Sequence, residues 1–291
     1  MGEGSQERDC HKAIKSCQRT SDMPQFCRHM PKEMQDDVWK TESEWFRPWF
    51  NRPAYHVLYG HRSEQEASDL VHRLVEAGHL GPTGKVLDAG CGAGRHARAL
   101  ASKAWEVSAF DLSEASVASA QLKSDGQIQF QVLDLRELER QTNWTGHFDV
   151  VTNFFTSLGY FSTTEEHDSV IRGFATALKP GGLLLLDYLN VESVRSGLVP
   201  FEQVDRQGTL FTIHRRIQGG WIEKSIQFEW EGEYEHHVER VQALHLSDFE
   251  RILSDHNLDI VSTWGDYQLG PWHPDSPRCM ILAKLQPQNE S

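Results

Sequence analysis

The stretch Val86-Leu87-Asp88-Ala89-Gly90-Cys91-Gly92-Ala93-Gly94-Arg95 decides the fold of this chain. Its apolar start predicts a buried strand, its three glycines predict a tight turn, and the residues from Arg95 onward predict the start of a helix. Because glycine has no Cβ, a ligand can approach the backbone of such a turn closely. Ligands of open α/β sheets bind at the carboxyl ends of strands, so we expect a ligand site at this turn.

The glycine spacing differs from that of a dinucleotide-binding turn, which follows the pattern G-x-G-x-x-G. After Gly90 and Gly92 the next glycine is Gly94, and the position that the pattern requires to be glycine holds Arg95. An acid, Asp88, also ends the predicted strand, where it would repel a pyrophosphate. The turn therefore favours a ligand with a cationic end, and a nicotinamide-dependent oxidoreductase stays the less favoured alternative.

Two further aspartates end the next two predicted strands. Asp111 lies 21 residues after Gly90, where a carboxylate can accept hydrogen bonds from both ribose hydroxyls of a nucleoside. Asp134 ends the third strand. Because the carboxyl ends of parallel strands meet at one edge of a sheet, we expect Asp88, Asp111 and Asp134 to form one acidic rim. Such a rim suits an adenosine that carries an amino-acid tail and a sulfonium.

Strands and helices alternate along the middle of the chain. Strand-like runs lie at 85–87, 106–110, 128–133, 148–154 and 183–186, with helical stretches near 96–103, 114–123 and 165–178. This alternation is typical of βαβ units, so we predict an α/β fold with a doubly wound, mostly parallel seven-stranded sheet. Runs at 209–215, 221–229 and 235–245 break the alternation and predict an antiparallel β insertion after strand 5. A helix over 247–256 and strands at 260–264 and 280–284 follow.

These patterns divide the chain into segments. We predict a flexible N-terminal extension over residues 1–40, a helical cap over 41–81, a ligand-binding core over 82–190, an antiparallel lid over 191–246, and a closing helix and strands over 247–291. Three capping boxes predict helix starts, at Ser63–Glu66, Thr163–Glu166 and Ser247–Glu250.

Composition restricts the partners and the compartment. The 291 residues carry 29 Lys and Arg against 42 Asp and Glu, a net charge of −13, so we expect neither nucleic acid nor a membrane as partner. No apolar run approaches the roughly 18 residues that span a bilayer. Five cysteines, an odd count, predict free thiols and a cytoplasmic protein. Cys10, Cys17 and Cys27 lie 7 and 10 residues apart, unlike zinc ligands, so we expect no metal.

The aspartates and the glycine turn together resemble the class I S-adenosylmethionine (SAM) dependent methyltransferases. The segments 55–62, 187–191 and 265–269 are similar to those of a branch of this family that methylates small molecules. The resemblance implies SAM as cofactor, with Gly90 and Gly92 against its methionine part and Asp111 on its ribose.

The resemblance also implies roles for further residues. Asp134 would accept from the adenine amine, with Leu112 and Leu135 against the ring faces. Asn153 would lie beside the reacting sulfur, Asp88 would contact the ligand, and Tyr59 and Arg62 are candidates for binding the carboxylate of SAM.

The methyl acceptor is predicted mostly by exclusion. The segment Asn153-Phe154-Phe155-Thr156 lacks the Pro-Pro of enzymes that methylate bases in nucleic acids. We expect Tyr160, Tyr188, Arg215, Tyr267 and Arg278 to line the acceptor pocket, where buried arginines would suit a carboxylate. This favours N-methylation of a small, polar, amino-acid-like metabolite. O-, S- or C-methylation and a non-catalytic SAM-binding protein stay open. No triad indicates a general base, for which His214, His245 and His273 are candidates.

Overall fold

The computed structural model describes residues 39–60 and 63–287. The helices and strands named below belong to the compact unit over residues 42–291. The predicted extension with its three cysteines, apart from residues 39 and 40, lies outside the described residues. So does Arg62.

The described helices surround two sheets. The α-helices are α1 (Phe46–Phe50), α2 (Pro53–Tyr59), α3 (Glu64–Glu76), α4 (Arg95–Ala101), α5 (Glu114–Leu122), α6 (Thr164–Ala177), α7 (Val191–Ser196) and α8 (Leu246–Ser254). Short 3₁₀ helices span Leu135–Arg140, Thr142–Trp144 and Ser157–Tyr160. The strands are β1 (Gly84–Ala89), β2 (Trp105–Asp111), β3 (Gln129–Val132), β4 (Phe148–Asn153), β5 (Leu178–Leu189), β6 (Phe201–Arg206), β7 (Thr209–Gln218), β8 (Trp221–Trp230), β9 (Glu233–Gln242), β10 (Leu258–Trp264) and β11 (Arg278–Leu285).

The main sheet has seven strands in the order β10-β11-β5-β4-β1-β2-β3. The five strands β1 to β5 pair in parallel, and β11 lies antiparallel between β5 and β10. Strands β6 to β9 form a separate antiparallel sheet that follows β5 in the sequence. The predicted fold class is therefore confirmed, including the insertion after the fifth strand. The central position of β1 places its carboxyl end between those of β2 and β4.

Helices pack on both faces of the main sheet because its central strands are apolar on both sides. Adjacent residues of β1, Val86 and Leu87, point to opposite faces and are fully buried in different hydrophobic clusters. The cluster around Leu87 includes Phe174 of α6 and extends into the second sheet, whereas the cluster around Val86 includes Leu74 of α3. The second sheet is thus continuous with one face of the core.

The second sheet also contacts the helical cap. The indole Nε1 of Trp49 in α1 donates to Glu239 Oε1 of β9 at 2.7 Å, and the Trp49 ring stacks on His237 with centroids 4.2 Å apart. The Tyr188 hydroxyl of β5 donates to the backbone oxygen of Gln242 at 2.6 Å. The antiparallel sheet is therefore anchored to both the cap and the end of β5.

The structure confirms one predicted capping box, corrects another and adds two elements that the sequence did not predict. Thr163 and Glu166 form the predicted capping box of α6, and Ser63 accepts from the Glu66 backbone at the start of α3. The third box at Ser247 is wrong, because α8 begins at Leu246 and the backbone N–H of His245 donates to Asp248 Oδ2 at 2.9 Å. Helix α7 and strand β6 were not predicted.

Among the described residues, no helix is long and apolar enough to span a membrane.

Candidate active site

The glycine turn after β1 rests on the end of β2. The backbone N–H groups of Gly90 and Cys91 both donate to the carbonyl oxygen of Phe110 at 2.9 Å. Gly90 has a φ of +75°, and a Cβ at this position would lie 3.0 Å from Ser157 Oγ. Both the left-handed backbone and the space beside it therefore require glycine at this position.

Asp111 fixes the same turn from the tip of β2. Its Oδ2 accepts from the Gly92 backbone at 2.8 Å, and its Oδ1 accepts from the Ser113 backbone at 2.9 Å. Burial raises the pKa of Asp111, although these backbone hydrogen bonds oppose the shift. Each carboxylate oxygen has a second lone pair, so Asp111 can still accept from a ligand.

A small, mostly apolar cavity of about 40 Å³ lies beside Asp111. It brings together four residues that the sequence predicts at the adenosine: Asp111, Leu112, Asp134 and Leu135. Its other lining residues are Phe46, Phe50, Gly90, Phe110, Leu133, Ser157, Tyr160 and Phe161. Apolar walls with acids at one side suit a flat ring that carries hydrogen-bond donors at its edge.

Asp134 is held by two arginines that sequence reasoning missed. Arg47 Nη2 lies 2.6 Å from its Oδ2, and Arg136 Nη2 lies 2.7 Å from the same oxygen. Burial alone would raise the pKa of Asp134, but the hydrogen bonds from Arg136 hold it below its usual range. Arg136 also contacts Glu44 of the cap at 2.8 Å, so the acid is fixed in an ion-pair network.

Asp88 lies below the turn and lines neither of the two cavities described here. It is 1% exposed, its Oδ1 accepts from Thr152 Oγ1 at 3.0 Å, and its Oδ2 has no partner among the described residues. Burial raises its pKa to about 7, against the hydrogen bond from Thr152 and together with the nearby charge of Asp111. The expected rim of three acids is therefore corrected to two acids at the cavity and one beneath it.

A larger cavity of about 360 Å³ continues from the small one. The two share Phe50, Gly90, Asp111, Ser157 and Tyr160. The larger cavity is also lined by the predicted residues Gly92 and Tyr59 and by Arg95, which directly follows the glycine turn. Sequence analysis assigned no role to five further lining residues: Tyr55, His56, His96, Phe154 and Phe155. They lie on α2, on α4 and after β4, so only the fold brings them together.

Asn153 joins the tips of β1 and β4 next to this cavity. It is 2% exposed, and its Nδ2 donates to the Ala89 oxygen at 2.7 Å. A Cβ on Gly90 would lie 3.3 Å from the same nitrogen. Asn153 thus lies directly against the glycine turn, and its predicted place beside the reacting sulfur remains a prediction.

Tyr59 forms part of the roof where the cap meets the second sheet. Its hydroxyl lies 2.7 Å from both carboxylate oxygens of Glu239, which also accepts from Trp49. The ammonium of Lys224 lies 4.6 Å from the centre of the Tyr59 ring. Glu239 therefore joins the cap to the lid, a role that nothing in the local sequence predicted.

Of the five predicted acceptor residues, only Tyr160 lines these two cavities. Tyr188 is buried and donates to Gln242. Arg215 pairs with Glu202 at 2.6 Å on the second sheet. Arg278 and Tyr267 both contact Asp187, as described next. The structure thus differs from the sequence prediction for four of the five residues. Their polar groups already form hydrogen bonds or ion pairs within the protein.

Asp187 holds a strained turn beside the larger cavity. Phe155 and Thr156 have φ values of +64° and +70°, a left-handed conformation that costs free energy for residues other than glycine. Asp187 accepts from the Phe155 backbone at 3.0 Å, from Tyr267 at 2.7 Å and from Arg278 at 2.8 Å. Its own carbonyl accepts from the Thr156 backbone at 2.9 Å. This buried cluster fixes the turn that carries Phe155 to the cavity wall.

The structure also places the histidines that the sequence suggested as general bases away from the two cavities. His214 packs on Phe201 in the second sheet, and His245 pairs with Glu192 at 2.8 Å. Neither lines the two cavities, and His273 does not either. His56 does line the larger one, and burial together with the charge of Lys123 lowers its pKa. Its imidazole is therefore mainly neutral at neutral pH.

Comparison with known proteins agrees with this geometry. Residues 86–182 match the family described as "Methyltransferase domain". A ubiquinone biosynthesis O-methyltransferase of Idiomarina loihiensis is 35% identical over 125 residues, which are 41% of this chain and 49% of the relative. A dTDP-3-amino-3,4,6-trideoxy-alpha-D-glucopyranose N,N-dimethyltransferase of Streptomyces venezuelae is 29% identical over 176 residues, 57% and 70% of the two chains. The chain spans about half the length of the curated relatives that it matches first.

A solved structure shows the same fold. The SAM-bound amino pentose methyltransferase CalS10 of Micromonospora echinaspora superimposes with a TM-score of 0.61 at 20% identity, covering 81% of this chain and 98% of that one. Residues 86–182 therefore match a methyltransferase domain, and the chain shares the fold of solved SAM-dependent methyltransferases. The predicted resemblance to SAM-dependent methyltransferases is confirmed for the matched domain and for the fold.

The residues of this site fit SAM. A Cβ on Gly92 would meet no protein atom within 4 Å, so the turn presents bare backbone to the cavity. Asp111 and Asp134 supply hydrogen-bond acceptors at the small cavity. Acids and exposed backbone of this kind suit a cationic nucleoside.

We expect Tyr267→Phe to destabilise the protein without unfolding it. Burial and the charge of Asp187 raise the pKa of Tyr267, so its hydroxyl stays protonated and donates to the buried carboxylate. Loss of that donor should lower the free energy of unfolding by about 1–3 kcal/mol, measured by urea denaturation. The control is Tyr234→Phe, because Tyr234 is 69% exposed. Equal losses in both variants would contradict the role of this hydrogen bond.

Asp88→Asn should change the pH dependence of stability. Because burial raises the folded pKa of Asp88 from 3.8 to about 7, the folded protein keeps a proton that the unfolded chain has lost. Wild-type stability should therefore fall relative to the variant as pH rises from about 4 to about 7, by up to about 1.4 kcal/mol per unit, and then level off. Urea denaturation across this range measures the difference. The exposed Asp125→Asn serves as control, and curves for wild type and Asp88→Asn that run parallel would refute the shift.

Proposed function

We propose that this protein transfers the methyl group of SAM to the amine nitrogen of a small polar acceptor. The observation that carries the proposal is the connection between the two cavities at Gly90, Asp111, Ser157 and Tyr160. The small cavity has the chemistry of an adenosine site, and the larger one provides space for a second reactant beside the glycine turn.

The chain's own residues bind and orient the cofactor. Asp111 would hold the ribose, Asp134 would accept from the adenine amine between Leu112 and Leu135, and Gly90 and Gly92 would lie against the methionine part. Bound SAM supplies a methyl group that is already activated on a sulfonium sulfur. The protein therefore has mainly to align the acceptor for in-line displacement and to exclude water, effects worth on the order of 7–11 kcal/mol when alignment is good.

The cap lines this site and is joined to the second sheet. Glu239 connects Trp49 and Tyr59 of the cap to β9, and Tyr59 lines the larger cavity. A cavity of about 360 Å³ supports a small acceptor. The net charge of −13 supports the same conclusion, and the cysteine count supports a cytoplasmic location.

Two observations support an amine as the acceptor group. The Streptomyces venezuelae relative and the CalS10 structure are named as methyltransferases of amino sugars. An amine must be neutral to present its lone pair, and the neutral imidazole of His56 on the cavity wall can accept its proton. We propose His56 for this role in place of the histidines that the sequence suggested.

Methyl-labelled SAM incubated with the protein and a cell metabolite extract tests the function. We expect label to enter one small amine, which mass spectrometry then identifies. SAM binding without a labelled product from any fraction would indicate a non-catalytic SAM-binding protein. Calorimetric binding of NADH in place of S-adenosylhomocysteine would indicate an oxidoreductase. Label on an oxygen, sulfur or carbon atom would contradict the amine.

Asp111→Ala should remove most cofactor affinity while the fold persists. Asp111 lines both cavities, and loss of its hydrogen bonds to a ribose should weaken S-adenosylhomocysteine binding by about 10- to 100-fold, measured by calorimetry. The matched control is Asp125→Ala, since Asp125 is exposed and lines neither cavity. Unchanged affinity in Asp111→Ala would refute the assignment of the ribose site.

A further inference from the structure

Asp134, one of the two acids that line the small cavity, already accepts four hydrogen bonds. Its Oδ1 accepts from the backbone N–H and from Nε of Arg136, both at 3.0 Å. Its Oδ2 accepts from Nη2 of Arg136 at 2.7 Å and from Nη2 of Arg47 at 2.6 Å. An ionised carboxylate has two oxygens with about two lone pairs each, so these four donors occupy its whole capacity.

A ligand amine that binds Asp134 must therefore replace one of these donors. The backbone N–H of Arg136 belongs to the 3₁₀ helix that Asp134 caps, so it cannot leave without a change in the chain. The guanidinium groups of Arg136 and Arg47 are side-chain donors that can leave. The contacts of the two arginines decide which of them yields.

The Arg136 guanidinium is held by three acids. Besides Asp134, it lies 2.8 Å from Glu44 Oε1 and 2.6 Å from Glu166 Oε1. Its side chain is only 19% exposed. Displacement of Arg136 would break several partly buried ion pairs at once, which is costly because each partner would be left with an unpaired charge. Arg136 therefore stays on Asp134 when a ligand enters.

The Arg47 guanidinium is held much less firmly. Its side chain is 46% exposed, and solvent screens the ion pairs of such a group. Its Nε also lies 2.5 Å from Glu44 Oε2, so Arg47 keeps an acidic partner after it leaves Asp134. Arg47 belongs to α1, which also provides Phe46 and Phe50 to the wall of the small cavity. The replaceable donor thus lies on the helix that borders the ligand.

We propose that Arg47 competes with the adenine amine for Asp134 and thereby sets how strongly the small cavity distinguishes an aminopurine from a purine without the amine. The inference rests on the proposed function, because it takes SAM as the ligand and Asp134 as the acceptor of its amine. On binding, one hydrogen bond at Oδ2 is exchanged for another. The Arg47 guanidinium leaves and stays paired with Glu44, and the amine takes its place beside Arg136.

Calorimetry with two ligands tests this competition. S-Adenosylhomocysteine carries the amine, and its 6-deamino analogue has hydrogen in that position. The ratio of the two affinities reports the amine alone, because a general effect of a substitution on the cavity changes both affinities. We expect Arg47→Met to raise this ratio in favour of S-adenosylhomocysteine by about 2- to 10-fold, since removal of the competing donor frees a lone pair on Asp134.

Arg52→Met is the matched control. Arg52 is a second arginine of the cap, its side chain is 43% exposed, and it pairs with Glu235 of the second sheet instead of Asp134. This variant should leave the ratio unchanged. In an Asp134→Ala background, Arg47→Met should likewise leave the ratio unchanged, because the acceptor for which the two donors compete is gone.

Three results would overturn the proposal. The ratio in Arg47→Met could equal or fall below that of the wild type, in which case Arg47 does not compete with the amine. Arg52→Met could raise the ratio as much as Arg47→Met. The rise could also persist in the Asp134→Ala background, so that it does not depend on Asp134. A wild type that binds neither ligand refutes the proposed function, on which the inference rests.

Discussion

The backbone carbonyl of Phe110 is the point on which the cofactor site depends. It accepts from two successive N–H groups of the glycine turn, and Asp111, the next residue, accepts from Gly92. The tip of β2 therefore holds the turn after β1 through main-chain hydrogen bonds that side-chain substitution cannot easily replace. Asn153 supports the same turn from β4, with Nδ2 2.7 Å from the Ala89 oxygen. Three neighbouring strand ends thus fix one loop, which is what a parallel sheet order of β4-β1-β2 makes possible.

Electrostatic contacts attach the cap to this core. Arg136 joins Asp134 to Glu44, and Glu239 joins Trp49 and Tyr59 to the second sheet. Such partly buried ion-pair networks add little to the free energy of unfolding, because the cost of desolvating the charges offsets much of their Coulombic attraction. Removal of one partner nevertheless leaves a buried charge unpaired. The cap is therefore held in one orientation over the cavities.

The sequence predicted the features of the site that depend on short spacing. The tips of β1 and β2 followed from apolar runs that end in Asp88 and Asp111, and the structure places the second of these at the cavity. It did not predict that Asp88 lies below the turn, because the depth of a side chain depends on packing across β4. Strand β6 was missed because Phe201–Arg206 alternates weakly between apolar and charged residues.

The acceptor residues were harder to predict for a different reason. Arg278 and Tyr267 were assigned to the pocket from their chemistry alone, whereas the structure uses both to satisfy Asp187. Whether an arginine is available to a ligand depends on partners that are distant in the sequence. Arg95 shows the converse, since its neighbours in sequence gave no indication that one of its nitrogens would lack a partner.

Two side chains that fix the Phe155 turn through Asp187, and one that fixes the cap through Tyr59, are synthesised long after their partners. Tyr267 and Arg278 lie 80 and 91 residues after Asp187, and Glu239 lies 180 residues after Tyr59. A ribosome releases the glycine turn and the parallel strands well before these side chains. The glycine turn is therefore synthesised before the side chains that secure the cap and the Phe155 turn.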